Sequence, residues 1–391
     1  MIASIGKYMP KILHISNDYS GSTVYMNLIR ELDSLGVEQV VYSPVRDKKQ
    51  IGKNAVILNN RNSKIIYSHI LNAHIDRIFY PYKILKIFRD IQKQVDFSQI
   101  DFIHAHTWYS DGGVAYFLAK KYNIPFILTV RSTDLNIFYK KLVYLRSFGR
   151  RLLAEAKNII LISASSEPKL LELSSLKDVI GKLKDKIHII PNGVDPYWIN
   201  NAVVGSSRNA CSHHKKINLI YVGTFIERKK LVEIQHAVIQ LNKSLHSQQI
   251  HLHIVGGGGE NEAKVLALVE QQPKYFTYHG KIYDKEKLAD LYHSSDIFVM
   301  PSMHETFGLV YVEAMLQGLP ILYMANEGID GFYSDNIGEK VLVADTPNIV
   351  EKLELMIENL NHYDVPTLEL KKNHDWAEIV KQYLAIYKTY L

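Results

Sequence analysis

The chain has 391 residues, 47% hydrophobic and 22% charged, with a formal net charge of +6. That length fits two domains with a core each, and so mild a positive balance does not point to nucleic acid. No run reaches the roughly 18 apolar residues of a membrane-spanning helix, Met1 to Pro10 hold no apolar stretch of signal-peptide length, and the single cysteine, Cys211, cannot close an internal disulfide, so the expected compartment is the cytoplasm.

Two successive series of alternating strand and helix are predicted. In the first half, continuous apolar runs mark strands at Lys11–Ser16, Glu38–Ser43, Ala55–Asn59, Asp101–Ala105, Pro125–Val130, Asn158–Ser163 and Lys186–Ile190. Helices intervene, for example Ser22–Leu35 and Gly113–Lys121. A turn cluster, Pro191 to Pro196, closes this half, and the polar stretch Asn200 to Lys216 reads as a linker edge. The second half restarts with strands at Ile217–Gly223, Gln249–Val255, Tyr275–His279, Asp296–Met300, Leu319–Tyr323 and Val341–Ala344. Its helices include Lys229–Leu245, Glu260–Gln271, Lys285–Tyr292 and Leu309–Gln317. The pattern implies two α/β, doubly wound, Rossmann-like domains, with ligands at the carboxyl ends of the strands. Asp375 to Leu391 is an amphipathic helix in need of a partner surface.

The segment from Pro301 to Met315 carries the most chemistry. It sets Glu305 and Glu313 eight residues apart, the first in a loop after an apolar run, the second inside the helix that the loop opens. Free backbone N–H groups and the positive helix end make such a turn an anion site. Thr306, Phe307, Gly308 and Leu309 would point N–H groups at a phosphate, with a carboxylate to either side. That layout suits a diphosphate with hydroxyl-rich groups at both ends, such as a nucleotide sugar. Arg228, Lys229 and Lys230 follow another strand end, Gly223. Cations in the first turn of a helix are mildly unfavourable and ask for an anion, although a solvated helix start would look the same.

Pro301, Ser302, Glu305, Phe307, Gly308, Glu313, Ala314, Gly318 and Pro320 together resemble the signature of glycosyltransferase family 4, retaining enzymes of the GT-B fold. The resemblance implies two domains facing a central cleft. Residues 1–196 would form an acceptor-side domain and 197–373 a nucleotide-sugar domain, with a helix at 374–391 crossing back to the first. It implies that Glu305 contacts donor-sugar hydroxyls and Glu313 the ribose hydroxyls, for which a two-oxygen acceptor is suited. Lys229 matches a family lysine; the family arginine falls on Thr224, and Arg228 is the nearest substitute. The glycine loop starting at Gly256, and Lys281 after the next strand, resemble segments bordering the nucleotide base. Gly21 stands where the family often has two glycines near the diphosphate. The resemblance favours His106 as a histidine near the donor sugar, although a strand-end histidine is often a hydrogen-bonded structural residue. Arg131 departs from the usual histidine of its position; it would meet acceptor or phosphate, or pair with Asp134.

No metal or other cofactor is expected, since these enzymes supply cations from the chain and no Asp-x-Asp pair stands out. The implied activity is transfer of a sugar from a UDP-sugar to a glycan or lipid-linked acceptor in surface polysaccharide synthesis. A nucleotide-sugar epimerase on the same scaffold, or a non-catalytic nucleotide-sugar-binding protein, are the alternatives. Two segments, Arg77–Arg89 and Phe138–Leu153, interleave basic and aromatic residues. They read as helices lying on an anionic membrane surface, which would put the protein peripherally on the inner face; two core-facing helices with solvated charges give the same pattern.

Overall fold

The computed structural model describes residues 9–72, 75–203, 216–245 and 249–390. Two units emerge: Met1–Ile162 with Ser166–Asn192 and Trp376–Leu391, and Ser163–Ser165 with Gly193–Asp375. The polar stretch expected as a linker edge lies mostly outside the described residues.

The first unit is built on a seven-stranded sheet: β1 (Lys11–Ile15), β2 (Glu38–Val45), β3 (Lys64–His69), β4 (Phe102–Ala105), β5 (Phe126–Val130), β6 (Ile159–Leu161) and β7 (Ile187–Ile189). The order is β3-β2-β1-β4-β5-β6-β7, and neighbours are parallel. The two faces feed two cores, because strand side chains alternate. Leu13, Ile103 and Leu128 pack with Tyr80, Ile84 and Leu152 on one side. Ile12, Phe102, Ile127 and Ile160 pack on the other against Leu28, Leu32 and the helix Trp376–Tyr387. That last helix buries Trp376, Ile379, Val380, Tyr383, Leu384, Ile386 and Tyr387. Each such side chain contributes about 1.5–3 kcal/mol of burial.

The second unit has six parallel strands: β8 (Lys216–Gly223), β9 (Gln249–Gly256), β10 (Phe276–Tyr278), β11 (Ile297–Val299), β12 (Ile321–Met324) and β13 (Gly338–Val341). Their order is β10-β9-β8-β11-β12-β13. In both sheets the winding reverses once, between β1 and β4 and between β8 and β11. Loops leave such a reversal in opposite directions and open a crevice at the strand carboxyl ends.

Two strands differ from the expected ones. The run Ala55–Asn59 is irregular, with Ile57 93% exposed, and the third strand is Lys64–His69. β13 starts earlier than Val341 and leaves Leu342 and Val343 exposed beyond its end.

Candidate functional site

The reversal in the second sheet brings together two segments that are far apart in sequence. The turn Glu227–Lys229 follows β8, and the loop Pro301–Gly308 follows β11. The Met303 N–H donates to the Arg228 carbonyl at 2.8 Å, which locks the two together. Lys229 Nζ then lies 2.6 Å from Glu305 Oε2, and Arg228 Nη1 3.3 Å from the same oxygen. Ser302 Oγ donates to that oxygen at 3.2 Å and accepts from Arg228 Nη1 at 3.3 Å. The Thr306 N–H donates to Glu305 Oε1 at 3.2 Å.

Burial alone would raise the Glu305 carboxyl, but the Lys229 ammonium, the Arg228 guanidinium and the Thr306 amide hold it below the usual carboxylate range. Lys229 is pulled down: burial outweighs the attraction of Glu305, and Arg228 adds repulsion. Lys230 is turned elsewhere, to Glu227 and Glu233 at 3.2 and 2.8 Å. The three adjacent cations therefore all meet carboxylates of the chain itself. Arg228 keeps an open side, with its side chain 40% exposed, beside a depression of about 420 Å³ lined in part by Ile226, Lys230, Met303 and His304.

The helix Leu309–Leu316 starts from Gly308 at φ 82°, a left-handed value that disfavours a side chain. A Cβ there would also meet the Tyr311 ring at 2.4 Å. Phe307 is clamped from both sides, its ring 5.0 Å from the His374 ring and its carbonyl against Gly328. The N–H groups of Phe307, Gly308 and Leu309 have no hydrogen-bond partner among the described residues, whereas that of Thr306 is turned to Glu305. Glu313 sits further along this helix, its carboxyl pushed up to about 8 by burial and by Asp195, with Lys285 opposing. Lys285 is itself 2.6 Å from Asp195.

Gly223 and Gly256 are paired in register at the ends of β8 and β9. Gly256 has φ 134°, and a Cβ on it would lie 1.8 Å from the Gly223 carbonyl oxygen. The glycine loop wraps over Phe225: the Phe225 N–H donates to Gly258 O, and Asn261 N–H to Phe225 O. The amides of Gly256 and Gly258 are engaged by Gly280 O and Glu262 Oε1. The loop is thus folded on itself around close backbone approaches. Lys281 is exposed beside it.

In the first unit, His106 is buried. Its Nε2 is 3.0 Å from His14 Nδ1, its ring 4.1 Å from that of His104 and 5.3 Å from that of Tyr25. Strand alternation does place His104 and His106 on one side, and that side is filled by protein. Burial drives His14 down to about 3, and His104 and His106 well below their ordinary value. Three imidazole nitrogens lie within 4.8 Å of one another, but both nitrogens of His104 are hydrogen-bonded, to Tyr387 and Thr129. Gly21 closes a short turn over which the Asp18 carboxylate packs, so that a Cβ would strike Asp18 Oδ1. Asp134 is closed off: its oxygens accept from the N–H groups of Trp108, Tyr109 and Arg131. Arg131 does not form an ion pair with it; its Nε donates to the His106 carbonyl at 3.0 Å. Of the basic segments, Lys83 is buried and donates to Ser110 Oγ, while Phe79, Tyr82, Leu85, Val143 and Tyr144 are exposed.

Comparison with known proteins agrees with this arrangement. The model described as Glycosyl transferases group 1 matches residues 207–382, and that described as Glycosyltransferase Family 4 matches 21–198. The chain belongs to glycosyltransferase family 4. The enzyme is 22% identical to the alpha-monoglucosyldiacylglycerol synthase of Acholeplasma laidlawii over 333 residues, 80% of this chain and 78% of that one. Among solved structures, sucrose-phosphate synthase from Thermosynechococcus elongatus superposes with a TM-score of 0.71 at 19% identity, covering 97% and 98% of the two chains. Anabaena HepE, in complex with UDP and glucose, gives 0.67 at 15% identity, covering 97% and 100%. The fold of this glycosyltransferase is GT-B.

Within the glycosyltransferase, β8 and β11 unite Arg228, Lys229, Glu305 and Ser302 in one cluster. Glu313 lies apart from it, near Asp195 and Lys285. Ser302, Asp195 and Lys285 are additions to the residues expected from sequence. Ser302 stands in the signature segment and could have been picked out there. The Asp195–Lys285 pair joins a turn to a helix start, and no local pattern marks it.

Proposed function

We propose that the protein is a retaining glycosyltransferase acting on a nucleotide sugar, a UDP-sugar in particular, with a glycan or lipid-linked acceptor of surface polysaccharide synthesis. The observation that carries this reading is the Lys229–Glu305–Arg228 cluster at the strand-order reversal, beside the unpartnered amides that open the helix Leu309–Leu316. A diphosphate arriving there competes with Glu305 for the ammonium and guanidinium N–H groups. Glu305, released from part of its pairing, accepts from hydroxyls of the donor sugar. Lys229 and Arg228 then stabilise charge growing on the leaving phosphate, the kind of preorganised stabilisation that dominates many enzymes. On the same face, the bond from the anomeric carbon to the diphosphate oxygen breaks as that to the acceptor oxygen forms. The acceptor's proton passes to the departing diphosphate. Glu313 holds the ribose hydroxyls. Cations from the chain make this chemistry workable without a bound metal ion.

Support for UDP comes from HepE, whose solved complexes contain UDP, UDP with glucose, and UDP-glucose. Support for a lipid-linked acceptor comes from the lipid-glucosylating relative and from the exposed aromatic residues Phe79, Tyr82 and Tyr144 among basic neighbours. We place the enzyme on the cytoplasmic membrane face by the same argument; no helix among the described residues is long and apolar enough to cross a membrane. The test is a panel of UDP-, GDP- and ADP-sugars, read by melting temperature and by slow release of free sugar. A UDP-sugar should stabilise and be hydrolysed with retained anomeric configuration. Release of an epimer, or no response to any sugar nucleotide, refutes the proposal.

A further inference from the structure

The first unit holds a cation that the proposed donor chemistry does not use. Arg131 leaves β5 at the carboxyl edge of the sheet and is fixed from two directions. Its Nε donates to the His106 carbonyl at 3.0 Å, and its guanidinium carbon lies 4.6 Å from the centre of the Tyr25 ring. Its two terminal nitrogens have no hydrogen-bond partner among the described residues, and the side chain is only half-buried. Asp134, three residues on, feels the Arg131 charge, but its oxygens accept from three backbone N–H groups, and it leaves the terminal guanidinium nitrogens uncontacted.

Other charges share this edge. Asp18 follows β1 and feels both Arg131 and Arg46, the residue after β2. Lys83, buried, lies within the fields of Arg46 and Asp111. Asp111 is fully buried and accepts from the backbone and side-chain N–H groups of Asn17, beyond β1. Arg46, Lys83 and Arg131 thus share this edge with the carboxyls of Asp18 and Asp111. The segments after β1 and β4 flank the strand-order reversal of this sheet, the place where a ligand fits.

We propose that Arg131 grips an oxyanion, a carboxylate or a phosphate, carried by the acceptor, so that the first unit selects acidic acceptors. A guanidinium whose plane is held by a ring and whose outer fork is open is prepared for two parallel hydrogen bonds. The proposal rests on the reading that the donor occupies the second unit.

The experiment titrates glucuronic acid, glucose 1-phosphate and glucose into the full-length protein with saturating UDP, which keeps the second unit's site filled. Affinity is read by calorimetry. UDP binding is measured first; its absence refutes the donor reading, and the three probes are then titrated without it. At least one acid should bind about tenfold or more tightly than glucose, and the acid that does so identifies the oxyanion. Arg131→Gln should lose that preference while keeping UDP affinity, and Arg131→Lys should retain part of it. Equal binding of acids and glucose, or an unchanged preference in Arg131→Gln, overturns the proposal. Should Arg131→Gln fail to fold, an undiminished preference in Arg131→Lys overturns it equally, since an ammonium cannot make the two-point contact.

Discussion

Lys229 is the side chain with most at stake. Its side chain is 12% exposed, and its ammonium sits 2.6 Å from Glu305 with the thioether of Met300 at 3.4 Å. Removing it leaves Arg228 as the cation bonded to Glu305, beside the Ser302 hydroxyl and the Thr306 amide, and takes one fixed cation from the leaving group. Lys229→Ala should lower turnover by about 10²–10³, the usual loss of one such stabiliser, with nucleotide affinity changing less. Steady-state kinetics on the donor identified by the sugar panel would check this, and a wild-type rate would dismiss the role. Glu313 makes a different prediction. Burial and Asp195 push its carboxyl up to about 8, so at neutral pH most of it is protonated in the free enzyme. A carboxylate accepts two ribose hydroxyls and a carboxylic acid accepts less well, so nucleotide binding should release a proton and tighten as pH rises from 6.5 towards 8.5. Calorimetry in buffers of different ionisation enthalpy measures that proton, and Glu313→Gln should abolish it. Uptake of a proton, or none, would contradict the assigned contact.

At the scale of elements, the loops after β8, β9 and β11 are shaped by glycines where a side chain has nowhere to go. Gly256→Ala would combine φ 134° with a contact of 1.8 Å to the Gly223 carbonyl, and neither backbone can yield cheaply. A loss of about 1–3 kcal/mol or more in unfolding free energy is expected, seen as a lower denaturant midpoint. An unaltered midpoint would mean that the two strand ends part easily. These elements also show what could be read beforehand. Strands with continuous apolar runs, such as Ile217–Gly223, were legible because both their faces are covered. Lys64–His69 was not, because it is an edge strand whose side chains are mostly half-exposed, while the apolar Val56–Leu58 lies outside any strand. Lys229 and Glu305 were legible because their spacing to neighbouring glycines is local. The Asp195–Lys285 contact and the sealing of His106 were not, because each depends on where distant segments pack.

For the molecule as a whole, acid is the natural stress. His14, His104 and His106 are buried neutral, and their folded pKa values lie below the unfolded value near 6.5. A depressed histidine means that the unfolded chain binds the proton first, so stability falls as pH drops below about 6.5; for His14 the fall continues to about 3. One such group contributes a slope of about 1.4 kcal/mol per pH unit. Urea unfolding at pH 7.5, 6.5 and 5.5 should show this decline, and His14→Asn should flatten it by about one proton. Glu313 and Asp111, whose carboxyls are raised to about 8 and about 7, act in the opposite sense over the same range, so the comparison with His14→Asn decides: parallel profiles for the two proteins would rule the account out. The helix Trp376–Tyr387 bears on this cluster too, since the Tyr387 hydroxyl meets His104 Nδ1 at 2.8 Å across 283 positions of chain. That contact implies an order of events at the ribosome. The residues between Asn192 and Trp376 must all emerge before the opening sheet receives its covering helix, a wait of roughly 10–40 s at ordinary elongation rates. Throughout that interval the greasy flank of the nascent first sheet stands bare, inviting chaperone capture, and a chain broken off before Trp376 would never seal it.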